Sequence, residues 1–404
     1  MHILRYPIIL FALISFSMQA QQGIDFKSGT IQIRIEPDNE YIDGRVEYLF
    51  AAEVTTDSVV VDARELLINQ VTINGKKTEF TYKNNSISIY RKFKAGRSYR
   101  LNIIYGVSPK KAVYFIGWHD NDPENNQVWT QGQGKYSSHW VPSFDDMSEK
   151  LTFNLEISFD STYEVVANGD LVGTQLKDSL RIWKYTMVKP MSSYLLAFAA
   201  GRYEKDTLYS KSGIPLLRYS YKNRQATTEP TYRYTPEIMN FLEEEIGIPY
   251  PWQNYKQVPA RDFLYAGMEN TGTTIFSDSY LIDSLAFQDK NYVEINAHEM
   301  AHQWFGNLVT EIGGKDHWLH EGFATYYSLL ARKELFGDDY YHWKLLESAE
   351  ALDNEEGESL TDPGASSLTF YEKGAWALVM LRDKMGDLAF KRGIQNYLKT
   401  FAYG

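Results

Sequence analysis

The chain has 404 residues, enough for two large domains, and 44% of them are hydrophobic against 23% charged, which excludes a disordered or low-complexity protein. Its formal net charge of -11 argues against a nucleic-acid partner. There is no cysteine, so neither a disulfide framework nor a lipid-modified cysteine is available.

The first twenty residues stand apart. Arg5 precedes an apolar run over 6–16, and Ser17-Met18-Gln19-Ala20 ends on a small residue. The run is too short to cross a bilayer comfortably. Residues 1–20 therefore read as the signal peptide of an exported protein, periplasmic or secreted, with no stable membrane span once the signal is cleaved. An uncleaved membrane anchor is the alternative.

Residues 23–203 read as an antiparallel β-sheet domain. Ser58-Val59-Val60-Val61-Asp62-Ala63 is β-branched, while Ser86-Ile87-Ser88-Ile89-Tyr90 and Leu151-Thr152-Phe153-Asn154-Leu155-Glu156-Ile157 alternate with period two. Asn74-Gly75 and Asn168-Gly169 each follow a strand-like run and carry the hairpin-turn signature. A last strand is expected over 194–199. Residues 204–404 form a second, mainly helical domain with strand-like pieces between 215 and 276. A helix is expected over 291–306, ending at Gly306. Leu319, Phe323, Tyr326 and Leu330 recur at helical spacing before Gly337. Phe390, Ile394, Leu398 and Phe401 do so after Asp387, the expected cap.

The strongest chemical signal is His298-Glu299-Met300-Ala301-His302. Residues four apart share one face of a helix, so both imidazoles can reach one ion, and Glu299 lies beside them without being a ligand. A catalytic zinc site takes three protein ligands and leaves a fourth position open. Glu321, nineteen residues beyond His302 at the start of the next expected helix, supplies the third. One Zn2+ per chain is expected, with Glu299 as the general base toward an attacking water and peptide hydrolysis as the reaction class.

With these residues in place, the sequence resembles the aminopeptidase N family of zinc metallopeptidases over nearly all of 23–404. The zinc segment extends the likeness through Gln303-Trp304-Phe305-Gly306-Asn307. Ala266-Gly267-Met268-Glu269-Asn270 stands where the family carries Gly-Ala-Met-Glu-Asn, its first two residues exchanged. Further points of likeness are Tyr371-Glu372-Lys373-Gly374-Ala375, the place of the family's transition-state tyrosine, and Thr130-Gln131-Gly132-Gln133, like its amine-reaching loop. Beyond that exchange, three further positions depart from the pattern: His320 for Asn, Ser143 for Cys and Met147 for Pro.

The resemblance implies that the second domain is thermolysin-like. It also implies a zinc aminopeptidase acting on peptides with a free N-terminus, through catalytic Glu299 and Tyr371. Substrate would be held by Glu269, Gly267, Met268 and Asn270, with Gln131 or Gln133 assisting. His320 is expected as a packed or exposed neighbour of Glu321 rather than a ligand. The family's larger helical third domain has no counterpart here, so a fragment, a truncated product or a short member is expected. A zinc endopeptidase or other zinc hydrolase, and a non-catalytic binding homologue, are the competing readings.

Overall fold

The computed structural model describes residues 23–120, 122–354 and 357–404, so the expected leader lies outside the described residues. Among them no helix is long and apolar enough to cross a membrane. Their strands form sheets of nine, four, five and three strands.

A β-sheet-rich half precedes a mainly helical half. In the large sheet the long strands Ile24–Glu36, Tyr41–Ala52, Arg97–Val107 and Lys150–Asp160 carry alternating buried and less buried residues, as a sheet covered mainly on one face requires. The expected antiparallel order holds with one exception. Ile24–Glu36 and Lys150–Asp160 pair in parallel, Ile31 opposite Leu155, because the chain returns to that edge only after the intervening strands.

Asn74-Gly75 closes a two-residue hairpin between Leu67–Ile73 and Lys76–Lys77, with positive φ at both positions. Asn168-Gly169 does not. Glu164–Ala167 pairs with Phe198–Gly201 in the four-stranded sheet, whereas Asp170–Lys177 pairs with Leu180–Thr186 in the large one. This turn is a corner where the chain changes sheets. Asn168 is fully buried there; its Nδ2 donates to Leu195 O at 3.0 Å and Thr271 O at 2.8 Å, and its Oδ1 accepts from Ala197 N.

Other expected boundaries shift. Residues 193–195 form a tight 3-10 turn, and the strand is Phe198–Gly201. The expected 291–306 helix is Val293–Ala301, after which the chain turns sharply. Trp318–Phe336 ends at Gly337 as read. Asp387 is the first residue of Asp387–Phe401 rather than its cap; Gly386, at φ 77°, precedes it, and Phe401 is exposed.

The five-stranded sheet runs Tyr203–Tyr209, Pro215–Tyr221, Tyr255–Ala260, Thr273–Ser277 and, at its edge, Gly267–Met268. One buried cluster joins Trp129, Val166 and Tyr194 of the first half to Val258, Met268 and Ile275 of this sheet. Two lysines, Lys150 half-buried and Lys256 buried, cross the same seam in opposite directions. Lys150 Nζ donates to Asn307 O and Leu308 O, and Lys256 Nζ to Gly169 O. Burial pushes both ammonium groups down to about 7, and at Lys256 the nearby Asp170 carboxylate offsets only part of that. The seam fixes the edge strand Gly267–Met268 against the first half.

Candidate metal centre

The helix Val293–Ala301 packs beside Trp318–Phe336, and their facing sides bring together His298, His302 and Glu321. The two imidazole Nε2 atoms lie 2.9 Å apart, with Glu321 Oε2 3.2 Å from one and 3.3 Å from the other. Tetrahedral ligands about 2.0–2.1 Å from a zinc ion are separated by about 3.3 Å, so this donor set fits one metal ion. His302 Nδ1 lies 2.9 Å from Phe305 O and donates to it, which leaves the Nε2 lone pair facing the site. The sharp turn after Ala301 makes that bond possible.

Electrostatics follow from burial and proximity. Burial opposes charge on Glu321, but the neighbouring imidazole of His302 and further bonds outweigh it and hold the carboxyl well below its usual range. Burial likewise opposes charge on His302, yet the Glu321 carboxylate raises it to about 10. A metal cation in their midst takes over that proton's role. Burial and the adjacent His302 lower His298.

A cleft of about 300 Å³ opens over these ligands, lined also by Glu299, Glu269, Gly267, Gln133 and Tyr371. Glu299 is buried, its Oε2 has no hydrogen-bond partner among the described residues, and burial raises its pKa well above the usual range. A Cβ at position 267 would come within 2.5 Å of Glu299 Oε1, so glycine there leaves this carboxylate its room. The exchanged order Ala266-Gly267 therefore has a steric consequence at the site.

Glu269 is 4% exposed and forms no ion pair with any lysine or arginine of the described residues. Burial raises its pKa. Tyr371 stacks on His298, ring centroids 5.4 Å apart and planes 4° from parallel. It sits in a π-helical turn, Thr369–Lys373, a geometry that widens the helix and turns out a side chain. Gly322 and Gly374 permit the close approach of that segment to Trp318–Phe336, since a Cβ at 322 would meet Gly374 Cα at 2.8 Å.

Three other sequence candidates lie off the cleft wall. Gln131 is buried, its Nε2 donating to Met268 Sδ and its Oε1 accepting from Gln133 N. Met268 packs in the seam cluster. Asn270 is fully buried, with both amide atoms lacking a partner among the described residues.

His320 is a packed neighbour of Glu321. Its Nε2 accepts from Glu311 N at 2.7 Å, and burial lowers it to about 3. Glu311, His317 and His320 also place donor atoms within 4.8 Å of one another. With Nε2 of His320 accepting, Nδ1 carries the hydrogen and cannot ligate, so we assign no second metal here. His317 Nδ1 donates to Glu311 at 2.9 Å, and its Nε2 lies 3.7 Å from Glu321 Oε1. Sequence reasoning missed Glu311 and His317, and also Tyr194, whose buried hydroxyl faces Glu269. Nothing sets Tyr194 apart among 30 tyrosines.

A β-sheet-rich half, an edge strand beside a His-Glu-x-x-His helix and a third carboxylate from the next helix define a metallopeptidase-type hydrolase fold with a one-metal centre. The peptidase M1 N-terminal domain matches residues 25–195 and the peptidase family M1 domain residues 231–404. The chain belongs to peptidase family M1.

It is 28% identical over 380 residues to aminopeptidase N of Lactobacillus delbrueckii subsp. lactis, covering 87% of this chain and 44% of that protein. It is also 28% identical to leucyl aminopeptidase of Saccharolobus solfataricus, covering 87% and 46%. The chain thus spans less than half the length of these relatives. The fold matches the crystal structure of an M1 zinc metallopeptidase from Deinococcus radiodurans with TM-score 0.82 and 22% identity, covering 95% of this chain and 88% of that one.

Proposed function

We propose that this protein is a zinc-dependent aminopeptidase that hydrolyses the N-terminal peptide bond of peptides. The observation that carries the reading is Glu269, a buried carboxylate with no lysine or arginine partner among the described residues, on the same cleft wall as a complete three-ligand metal set. A peptide's free N-terminus is the cation that would complete it. Gln133, on the same cleft, adds a neutral acceptor.

When bound, zinc supplies Lewis acidity toward the scissile carbonyl and acidifies a water. Glu299 takes the attacking water's proton and delivers it to the leaving amine. Tyr371 donates its phenolic hydrogen to the developing oxyanion, an interaction stronger in the transition state than in the ground state. The edge strand Gly267–Met268 offers a backbone for an extended peptide to pair with. The reading places the enzyme outside the cytoplasm, periplasmic or secreted, supported by the apolar run over 6–16.

A panel of aminoacyl substrates, free and N-acetylated, with and without chelator, tests it. Acetylation removes the charge opposite Glu269, so blocked substrates should turn over slower by on the order of a hundredfold. Chelator should stop all turnover. Equal rates on both forms would leave only a zinc hydrolase.

A further inference from the structure

The carboxylate of Glu269 can select the first peptide bond only if its distance from the metal ligands is fixed. Glu269 sits in the turn 269–272, which joins the two antiparallel strands Gly267–Met268 and Thr273–Ser277. Two residue pairs, Gly267 with Phe276 and Met268 with Ile275, join the short edge strand to its neighbour, while Asn168 Nδ2 donates to Thr271 O and Lys256 N to Gly272 O in the turn itself.

Two side chains from the chain just beyond the helix Val293–Ala301 grip this turn. Gln303 Nε2 donates to Glu269 O at 3.1 Å, while its Oε1 accepts from Gly272 N at 2.9 Å, so one amide closes both ends of the turn. Asn307 Nδ2 donates to the same Glu269 O at 2.6 Å. Both residues are fully buried. Gln303 directly follows the ligand His302, and its own carbonyl accepts from Trp252 Nε1 at 3.0 Å. Asn307 N donates to His302 O at 3.1 Å. A few covalent bonds and buried hydrogen bonds thus connect a metal ligand to the Glu269 backbone.

We propose that Gln303 and Asn307 are positioning residues that set the spacing between the amine-binding carboxylate of Glu269 and the metal ligands, and thereby decide which bond from the N-terminus is cut. This rests on the aminopeptidase reading above. Neither residue lines the cleft, so neither touches substrate. Gln303 Nε2 also lies 3.5 Å from Glu299 O, a longer contact than its 3.1 Å bond to Glu269 O, and the proposed effect passes through Glu269. Because both donate to one carbonyl, either can partly cover for the other, and their removal should be more than additive.

The test uses the zinc-loaded full chain with Gln303→Met, Gln303→Glu, Asn307→Leu and the Gln303→Met/Asn307→Leu pair. Gln303→Glu keeps the acceptor for Gly272 and loses the donor to Glu269, so it separates turn closure from the grip on Glu269. Each single change should raise KM for a free-amine substrate by roughly tenfold or less, with a smaller fall in kcat. The pair should raise it on the order of a hundredfold or more. The preference for free over acetylated substrate should shrink by the same factor, and dipeptides should appear among the products of longer peptides, with zinc content unchanged.

If the variants lose zinc, or lose free and acetylated turnover in equal proportion, the residues merely support the fold and the proposal is overturned. Unchanged KM and preference in the pair overturns it equally. If the wild type itself does not prefer free amines, it is the aminopeptidase reading that fails, which the wild-type arm reveals before any variant is measured.

Discussion

Glu299→Gln is expected to lower kcat by about a hundredfold or more while the metal stays bound. The amide has the same shape and volume, so the helix Val293–Ala301 and the ligands on either side keep their packing. What changes is proton affinity. Glu299 Oε2 is buried and has no hydrogen-bond partner among the described residues, so it is free to accept a proton. Burial comes first among the causes that raise its pKa, with Glu269 and Glu321 adding to it and His302 opposing. A carboxylate with raised basicity suits a base that must take a proton from water and return it to an amine. Parallel measurement of kcat and zinc content decides the point. Wild-type turnover in a zinc-loaded variant would remove Glu299 from the mechanism.

Glu321→Ala is expected to abolish both metal retention and turnover. Its Oε2 lies close to both imidazole nitrogens and is the only carboxylate oxygen in the three-ligand set. Without it two neutral donors remain, and a catalytic zinc site needs three. Losses of metal affinity well beyond the 10–100-fold typical of outer-shell changes are expected. The readout is the chelator concentration that strips half the zinc from wild type and variant. Full zinc retention in Glu321→Ala would show that another group completes the site. His317 would then be the first to examine, 3.7 Å from Glu321 Oε1.

The pairing of His298 and His302 is legible in the sequence because helical periodicity places them on one face, whereas Glu321 joins them only through the packing of the next helix. The expected helix was too long by several residues. The chain turns after Ala301, and that turn brings Phe305 O to His302 Nδ1. Local patterns failed where the outcome depends on distant partners. Asn74-Gly75 and Asn168-Gly169 look alike as turn signals, yet the second is held by Leu195, Ala197 and Thr271 and changes sheets.

Gln303 and Asn307 are visible in sequence as residues beside a ligand, but their bonds to Glu269 span more than thirty positions and follow from no periodicity. Tyr371 was reached through family resemblance, because a π-helical turn has no spacing signature of its own. The parallel pairing of Ile24–Glu36 with Lys150–Asp160 is likewise a choice of topology, invisible to alternation within either strand.

The most direct measurement follows the products of one unstructured peptide, supplied with a free and with an acetylated N-terminus, by mass spectrometry over time. Stepwise loss of single residues from the free peptide, silenced by chelator, with the acetylated one left intact, is the expected result. Internal cleavage of the acetylated peptide at a rate matching N-terminal trimming would contradict it.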